Sequence, residues 1–339
     1  MADQYRAAIV GCGGISSRHA RGFKQLPGCE LVAGADVRPE NAAKLAAEFG
    51  IPRTYTDYRE LLAEEHPDLL AICTWPGTHA EITIAAAEAG AKGILCEKPA
   101  CLSLAEADAM LAACHRAGCR LAIAHQHRFD RQNTTARRLI AEGAIGVPVL
   151  LRCATEGGLL NNGTHAIDTA RYLLGDPPAL WVMGQVERRT DRYERGHPIE
   201  DRCTGLIGFE QGTRLLVETD MPEDGPGGRF VYGTTGTLRF GDRTLELLSA
   251  ERPGGQSVGL DADTDQHHEL LAWVEGGHES RQSARIARAT TEIMMAIYES
   301  ARTRGLISLP LPSGRSPLHL MIEEGALPVE VPGKYDIRV

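Results

Sequence analysis

Short apolar runs alternate with amphipathic ones through the first third of the chain. AAIVG, LVAGAD, LLAICT, GILCE and LAIAHQ are nearly continuous in apolar residues, whereas NAAKLAAEFG and HAEITIAAAEAG repeat theirs at helical spacing. Strand and helix in alternation predict a parallel sheet with helices on both faces, a doubly wound α/β domain. After about Ala124 the pattern changes to a helix (RQNTTARRLIAEG), a strand (PVLLRCAT), a second helix, and then the β-like runs LWVMGQVERR, TGLIGFE, TRLLVETD and RFVYGT. Turn signals such as EQGT and TTGT between these runs indicate antiparallel pairing, so a second α/β domain with a largely antiparallel sheet is expected. Two later helical stretches, QHHELLAWVEGG and SARIARATTEIMMAIYESARTRG, would cover a sheet or dock between domains. Within the second, IMMAIY reads as core, because methionine fills irregular apolar space. The expected domains are 1–124 and 125–339, the latter including an ordered tail beyond Leu309.

The first strand ends in GCGGIS, a GxGxxG/A pattern with Ser16 at the last small position. Gly11 permits the tight turn, Gly13 lets the backbone approach a pyrophosphate, and Ser16 allows close helix packing. The helix start then offers free N–H groups to phosphate. Glycines also occupy turns for purely conformational reasons. Here, however, the motif follows a strand, opens a helix, and is answered by Asp36 at the end of the second strand, about twenty residues on, where a carboxylate meets ribose hydroxyls. That carboxylate favours NAD over NADP, although Arg38 would soften the preference by binding a 2′-phosphate.

Composition narrows the partners. The chain has 339 residues, enough for two cores, and a formal net charge of −9, unfavourable to nucleic acid or an anionic membrane. No apolar stretch is long enough for a membrane span and the N-terminus has no signal-peptide pattern, so neither membrane nor nucleic acid is expected as a partner. Nine cysteines without a CxxC pair or metal spacing read as reduced thiols in a cytoplasmic protein, with no metal site.

Downstream, ILCEKPACLSLAEADAML places Glu97, Lys98 and Pro99 at the carboxyl end of a strand, where ligands bind in open α/β sheets. A lysine there can steady a substrate oxygen while a hydride moves. Pro99 restricts Lys98 to extended conformations or does so through a cis bond. With GCGGIS, CTWPGTHAE, this EKP, HQHRFD, GGLLNNGTHAID and AIYESARTRGLISLPL in that order, most of the chain resembles the Gfo/Idh/MocA family of NAD(P)-dependent oxidoreductases. The resemblance implies a Rossmann domain followed by a second α/β domain with an open sheet, through which such proteins form homodimers or homotetramers. It also implies cofactor contacts from Gly11, Gly13, Gly14, Ile15, Asp36, Arg38, Thr74, Trp75, His79, Glu97 and Lys98. Arg128 would touch substrate or cofactor, or form an interdomain salt bridge.

In NNGTH, before the amphipathic run AIDTARYLLG, a helix that included Asn161 would align Asn161, His165, Asp168 and Tyr172 on one face. Leu160, Thr164, Ile167 and Leu174 would make a second, more apolar face. The family commonly has an aspartate four residues before this histidine. The resemblance therefore carries the acid/base role to His165, whose unperturbed pKa of about 6.5 suits proton transfer, and puts Asn161 at the aspartate position. Asparagine cannot relay a proton but can orient the ring or bond a hydroxyl, so Asn161 and Asn162 are expected at the substrate. Asp168 would supply a charge to His165 or simply favour the helix N-terminus. Tyr172 reads as packing, and His125, His127, His267 and His268 gain no role from spacing. Substrate recognition is expected from the second-domain sheet and from the loops around GGLLNNG and EDGPGGR. The implied activity is oxidation of a secondary hydroxyl of a sugar, cyclitol or related polyol by NAD, or its reverse. Two alternatives are a redox-neutral glycoside-cleaving enzyme acting through a transient keto-sugar, and a nucleotide-binding regulator without catalysis.

Overall fold

The structure is a computed structural model that describes residues 4–221, 229–241, 243–250 and 252–337. Its elements run β1 (Tyr5–Val10), α1 (Ser16–Gln25), β2 (Cys29–Ala35), α2 (Pro39–Phe49), β3 (Arg53–Tyr55), α3 (Tyr58–Glu65), β4 (Leu69–Ile72), α4 (His79–Glu88), β5 (Gly93–Cys96), α5 (Leu104–Ala117) and β6 (Arg120–Ile123). They continue with α6 (Arg131–Ala141), β7 (Pro148–Thr155), α7 (Thr164–Leu173), β8 (Ala179–Glu187), β9 (Thr190–Glu194), β10 (His197–Pro198), β11 (Arg202–Phe209), β12 (Arg214–Thr219), β13 (Arg229–Gly233) and β14 (Gly236–Phe240). The rest are β15 (Leu245–Ser249), β16 (Arg252–Ser257), α8 (Gln266–Val274), α9 (Ala284–Thr303), β17 (Ile307–Ser308), α10 (Pro317–Glu323) and β18 (Val331–Asp336).

Two compact units result. The first comprises Met1–His125 and Thr264–Arg288, and the second Gln126–Asp263 and Ala289–Val339. The segment 264–288, assigned from sequence to the second domain, thus folds with the first. Its helix α8 buries Leu270 and Leu271, and Leu270 packs with Leu95, Ala122 and Ala124. Amphipathic periodicity gives a helix an apolar face without saying which sheet that face will cover.

The first unit holds a six-stranded parallel sheet in the order β3-β2-β1-β4-β5-β6, including a short β3 that its weak apolar pattern did not announce. One face packs Ala20, Phe23, Leu45 and Leu271 from α1, α2 and α8. The other packs Leu61, Ile82, Ala86 and Met110 from α3, α4 and α5. With both faces covered, β1, β4 and β5 are apolar almost throughout. The strand order reverses outward from β1 and β4, and the carboxyl ends there are where such a sheet binds ligands.

The second unit has a nine-stranded sheet, β16-β15-β14-β13-β7-β12-β11-β8-β17, antiparallel except where β7 meets β12. The expected turns EQGT and TTGT join β11 to β12 and β13 to β14 as antiparallel hairpins. One face is buried. There Gly184 and Gly205 leave room for Ile297 of α9, which the Cβ of any other residue would meet. The opposite face leaves Met183, Leu206, Leu216 and Phe230 half-buried or exposed. The tail is ordered, as β18 pairs with β9 in a three-stranded sheet. Within EDGPGGR, residues 223–228 lie outside the described residues.

Candidate active site

In the first unit the loop after β1 explains its glycines separately. Gly11 has φ +87°, and a Cβ on it would lie 2.6 Å from the Cys73 carbonyl carbon of the neighbouring strand end. Only glycine fits there. Gly13 and Gly14 need no left-handed backbone, and a Cβ on either would meet nothing within 4 Å. The turn itself therefore does not require them, whereas a group lying against the backbone would. Ser16, buried at the start of α1, donates from Oγ to the Gly13 carbonyl at 2.5 Å and closes the loop. Ile15 is exposed beside it.

Asp36 stands half-buried just beyond β2. Its Oδ2 accepts from the Cys12 amide at 2.7 Å, and Oδ1 accepts from the Arg38 amide at 2.9 Å. The backbone thus fixes the carboxylate beside the glycine loop, where it can still receive ribose hydroxyls. Arg38 is exposed next to it. Burial and the Asp36 charge push the Cys12 thiol up to about 12, so this cysteine stays protonated. The loop's open side at Gly13 and Gly14, the helix N-terminus and the anchored carboxylate together fit a dinucleotide.

At the ends of β4 and β5, Thr74 is half-buried and Trp75 is exposed. His79, expected at the cofactor, is fully buried instead. Its Nδ1 lies 2.9 Å from the Pro99 carbonyl and Nε2 lies 3.0 Å from the Thr74 carbonyl, so both ring nitrogens are engaged with backbone. It joins the two loops to one another. Burial lowers its pKa and keeps it neutral. Glu97 is also nearly buried, with Oε1 2.9 Å from His19 Nε2. Lys98 follows it half-buried, across a cis Lys98-Pro99 peptide. The capping box of Ser103 and Glu106 then starts α5 and fixes the loop's far end.

In the second unit the NNGTH segment departs from the expected continuous helix. Residues 159–163 form a π-helical turn, with the Asn162 and Gly163 amides both donating to the Gly158 carbonyl, and α7 begins only at Thr164. Acidic side chains far away in sequence hold the turn open. Asp220 accepts from the Gly157 and Gly158 amides at 2.8 and 2.7 Å. Glu200, wholly buried, accepts from the Leu159 amide at 2.5 Å and from the Tyr298 hydroxyl at 2.8 Å. Burial raises the Glu200 pKa, and these donors oppose that rise. Local spacing could not reveal such distant anchors, and the inserted turn breaks the 3.6-residue register between Asn161 and His165.

Asn161 is buried and Asn162 half-buried, the latter donating to the Glu156 carbonyl at 2.7 Å. His165 is half-buried. The ring of His127 meets it edge-on at 4.5 Å between centroids, and His127 Nδ1 lies 2.5 Å from Asp130 Oδ2. Spacing gave His127 no role; the turn that brings it against α7 is a tertiary event.

Arg128 corrects a sequence expectation. It is fully buried, with Nε and Nη2 donating to Asp168 at 2.7 and 2.8 Å and both terminal nitrogens donating to Asp176 at 2.9 and 2.7 Å. Both carboxylates that neutralise it belong to its own unit. Asp168 also accepts from the Thr290 hydroxyl at 3.1 Å. Tyr172 packs under the Arg128 and Arg137 guanidinium groups, as its packing role predicted.

A parallel sheet with a glycine loop and a carboxylate anchored beside it fits the class of NAD-dependent oxidoreductases, and comparison with known proteins agrees. Residues 5–125 match the family described as "Oxidoreductase family, NAD-binding Rossmann fold", and residues 133–239 match the GFO/IDH/MocA C-terminal domain. The chain belongs to the Gfo/Idh/MocA family. It is 28% identical to a D-apiose dehydrogenase of Paraburkholderia graminis, covering 96% of this chain and 95% of that one. It is 31% identical to a myo-inositol 2-dehydrogenase of Thermotoga maritima, over 67% of this chain and 70% of that one. The fold is similar to that of levoglucosan dehydrogenase in complex with NADH and L-sorbose, with TM-score 0.79 at 24% identity, covering 91% of this chain and 99% of that one. Among the described residues, no helix is long and apolar enough to cross a membrane and no cluster of His, Cys, Asp or Glu could hold a metal ion.

Proposed function

We propose that the chain oxidises a secondary hydroxyl of a sugar, cyclitol or related polyol to the ketone with NAD, or runs the reverse reduction. The observation that carries this reading is the dinucleotide cradle of Gly11, Gly13, Gly14 and Asp36 at the same carboxyl end of the sheet as the half-buried Lys98. The apiose and inositol dehydrogenases named above support the substrate class. Bound along the glycine loop, NAD would supply the hydride acceptor. Lys98 would donate to the substrate oxygen and steady its charge. His165 would take the hydroxyl proton, with His127 and Asp130 beside it. Asn161 would orient the ring or bond a hydroxyl, bringing no charge of its own. The half-exposed apolar face of the nine-stranded sheet is the surface through which a second copy would pair.

NADH formation across free sugars, cyclitols, sugar acids and glycosides, with product analysis, tests the proposal on wild type, His165→Ala and Asn161→Asp. Stoichiometric NADH with a keto-product is expected, and kcat should fall by about 10²- to 10⁴-fold in His165→Ala. Full activity in that variant would remove His165 from the chemistry. Glycoside cleavage without net NADH would replace the dehydrogenase by a redox-neutral enzyme.

A further inference from the structure

A chain of hydrogen-bonded side chains runs through the first unit from Glu97 to the surface. Glu97 Oε1 lies 2.9 Å from His19 Nε2, and His19 Nδ1 lies 3.1 Å from His267 Nε2. His267 Nδ1 lies 3.3 Å from Asp265 Oδ1, and Asp265 Oδ2 lies 2.5 Å from His268 Nδ1. His19 is fully buried and His267 nearly so, while Asp265 and His268 are largely exposed. One end adjoins Lys98, and His19 stands in the first turn of α1, directly after the glycine loop.

Counting hydrogens shows what this arrangement demands. Between Glu97 and Asp265 there are three gaps, each needing one hydrogen, and ionised carboxylates supply none. Two neutral imidazoles supply one each. With both rings neutral, either two lone pairs face each other at the His19–His267 gap or a lone pair faces a carboxylate. One proton beyond the neutral complement satisfies all three.

We propose that His19, His267 and Asp265 are positioning residues that hold this additional proton and, through Glu97, set how the glycine loop and Lys98 segment receive the dinucleotide. The proposal rests on the dinucleotide cradle described above. His267 is built into place, since a Cβ on Gly22 of α1 would strike its imidazole ring. Asp265 is also the N-cap of α8, accepting from the His267 and His268 amides, which ties its position to the helix that presents His267.

The charged surroundings act unequally along the relay. Burial pushes Glu97 up, but the hydrogen bond and charge of His19, with Lys98, hold it below the usual carboxylate range. Its other titratable neighbours are the Cys73 and Cys96 thiols, both raised by burial, and His79, kept neutral by burial. Burial lowers His267, Asp265 opposes that shift, and His19 and Arg18 add to it; the Phe23 ring meets it edge-on. Asp265 is held well below the usual range: burial opposes the shift, and the hydrogen bonds from His267 and His268 overcome it. As pH rises and the proton leaves, the relay gains a negative charge near the pyrophosphate loop. Dinucleotide binding should then weaken, more for NADH, which carries one more negative charge than NAD⁺.

The test uses full-length protein with isotope-labelled histidine. Ring nitrogen resonances are titrated by NMR, and NAD⁺ and NADH affinities are measured by calorimetry over the same pH range, with no polyol present. Failure to turn over any polyol would therefore leave the result untouched. Wild type should show one shared imidazolium that titrates together with an affinity drop of about three- to tenfold. Asp265→Asn keeps a competent N-cap and removes a charge, so the midpoint should fall by about 1–2 pH units. Gly22→Ala displaces His267 without altering a titratable group, and the affinity step should vanish. Two neutral rings across the range would overturn the proposal. So would an affinity profile that superimposes in wild type and both variants, which would reduce the cluster to a structural contact.

Discussion

Replacing the loop glycines one at a time separates the residues the turn needs from those the cofactor needs. For Gly11→Ala the structure gives two costs. A residue with a Cβ at φ +87° pays about 1–2 kcal/mol for left-handed backbone. The methyl would lie 2.6 Å from the Cys73 carbonyl carbon, part of β4's continuation, and forcing such an overlap adds about 1–3 kcal/mol. The variant should lose about 2–5 kcal/mol of unfolding free energy. At Gly13 an added Cβ meets nothing within 4 Å and no left-handed backbone is required, so the stability of Gly13→Val should stay within about 1 kcal/mol of wild type. Its side chain nevertheless fills the space over the backbone where a pyrophosphate would lie. NAD⁺ affinity should fall by at least about 100-fold, equivalent to about 2.8 kcal/mol. Urea denaturation followed by circular dichroism measures the first quantity, and calorimetric titration with NAD⁺ the second. Gly13→Val binding NAD⁺ as tightly as wild type would place the cradle elsewhere, and an undiminished Gly11→Ala would refute the steric argument.

Arg128→Met should cost about 3–5 kcal/mol in chemical denaturation, because it takes the guanidinium from the buried Asp168 and leaves Asp176 with only the more distant Arg137 and Arg171. Unchanged stability with a raised KM would instead assign Arg128 to the substrate. His197 is buried, and its pKa is pushed down to about 4 by burial, against an ordinary value of 6.5. The unfolded chain binds that proton first, so stability should fall as pH drops from about 6.5 to about 4, by up to ~3 kcal/mol, and then level off for this group. His197→Phe should flatten that part of the stability-versus-pH curve in thermal or urea unfolding; an unaltered slope would exclude His197 as its source. Leu216→Glu puts a charge in the middle of the half-exposed apolar row with Leu206 and Met183. Light scattering on eluting protein should show a smaller species than wild type, and the same mass in both would take the sheet face out of assembly.

What the sequence disclosed follows from the range of the interactions involved. The parallel sheet was legible because its central strands are apolar almost throughout and the crossover helices carry their own period. GCGGIS was legible because strand, turn and helix are contiguous. Asp36 needed only one step along the sheet. Arg128 was left open for the complementary reason: its partners Asp168 and Asp176 lie 40 and 48 residues away, and nothing in HQHRFD distinguishes an arginine that faces a ligand from one neutralised in the interior. The π-turn was hidden likewise, since its carboxylate anchors come from Glu200 and Asp220.

The same distinction separates the two histidine groups of this chain. His165 could be singled out because a family pattern fixes its spacing, yet His127, whose ring meets it, and Asp130, which pairs with His127, come from the preceding connection. His19 and His267 lie 248 residues apart and meet only because α8 returns to cover the first sheet. That return explains why residues 264–288 belong with the first unit. The helix brings apolar Leu270 and Leu271 to the sheet, and in the same turn it brings an imidazole and its capping carboxylate to the buried end of a chain that starts beside Lys98. Core burial therefore holds the relay in register. A mutation that loosens α8, such as Leu271→Ala, should disturb dinucleotide binding as well as stability, while an equally destabilising change in α10, which belongs to the other unit, should disturb stability alone.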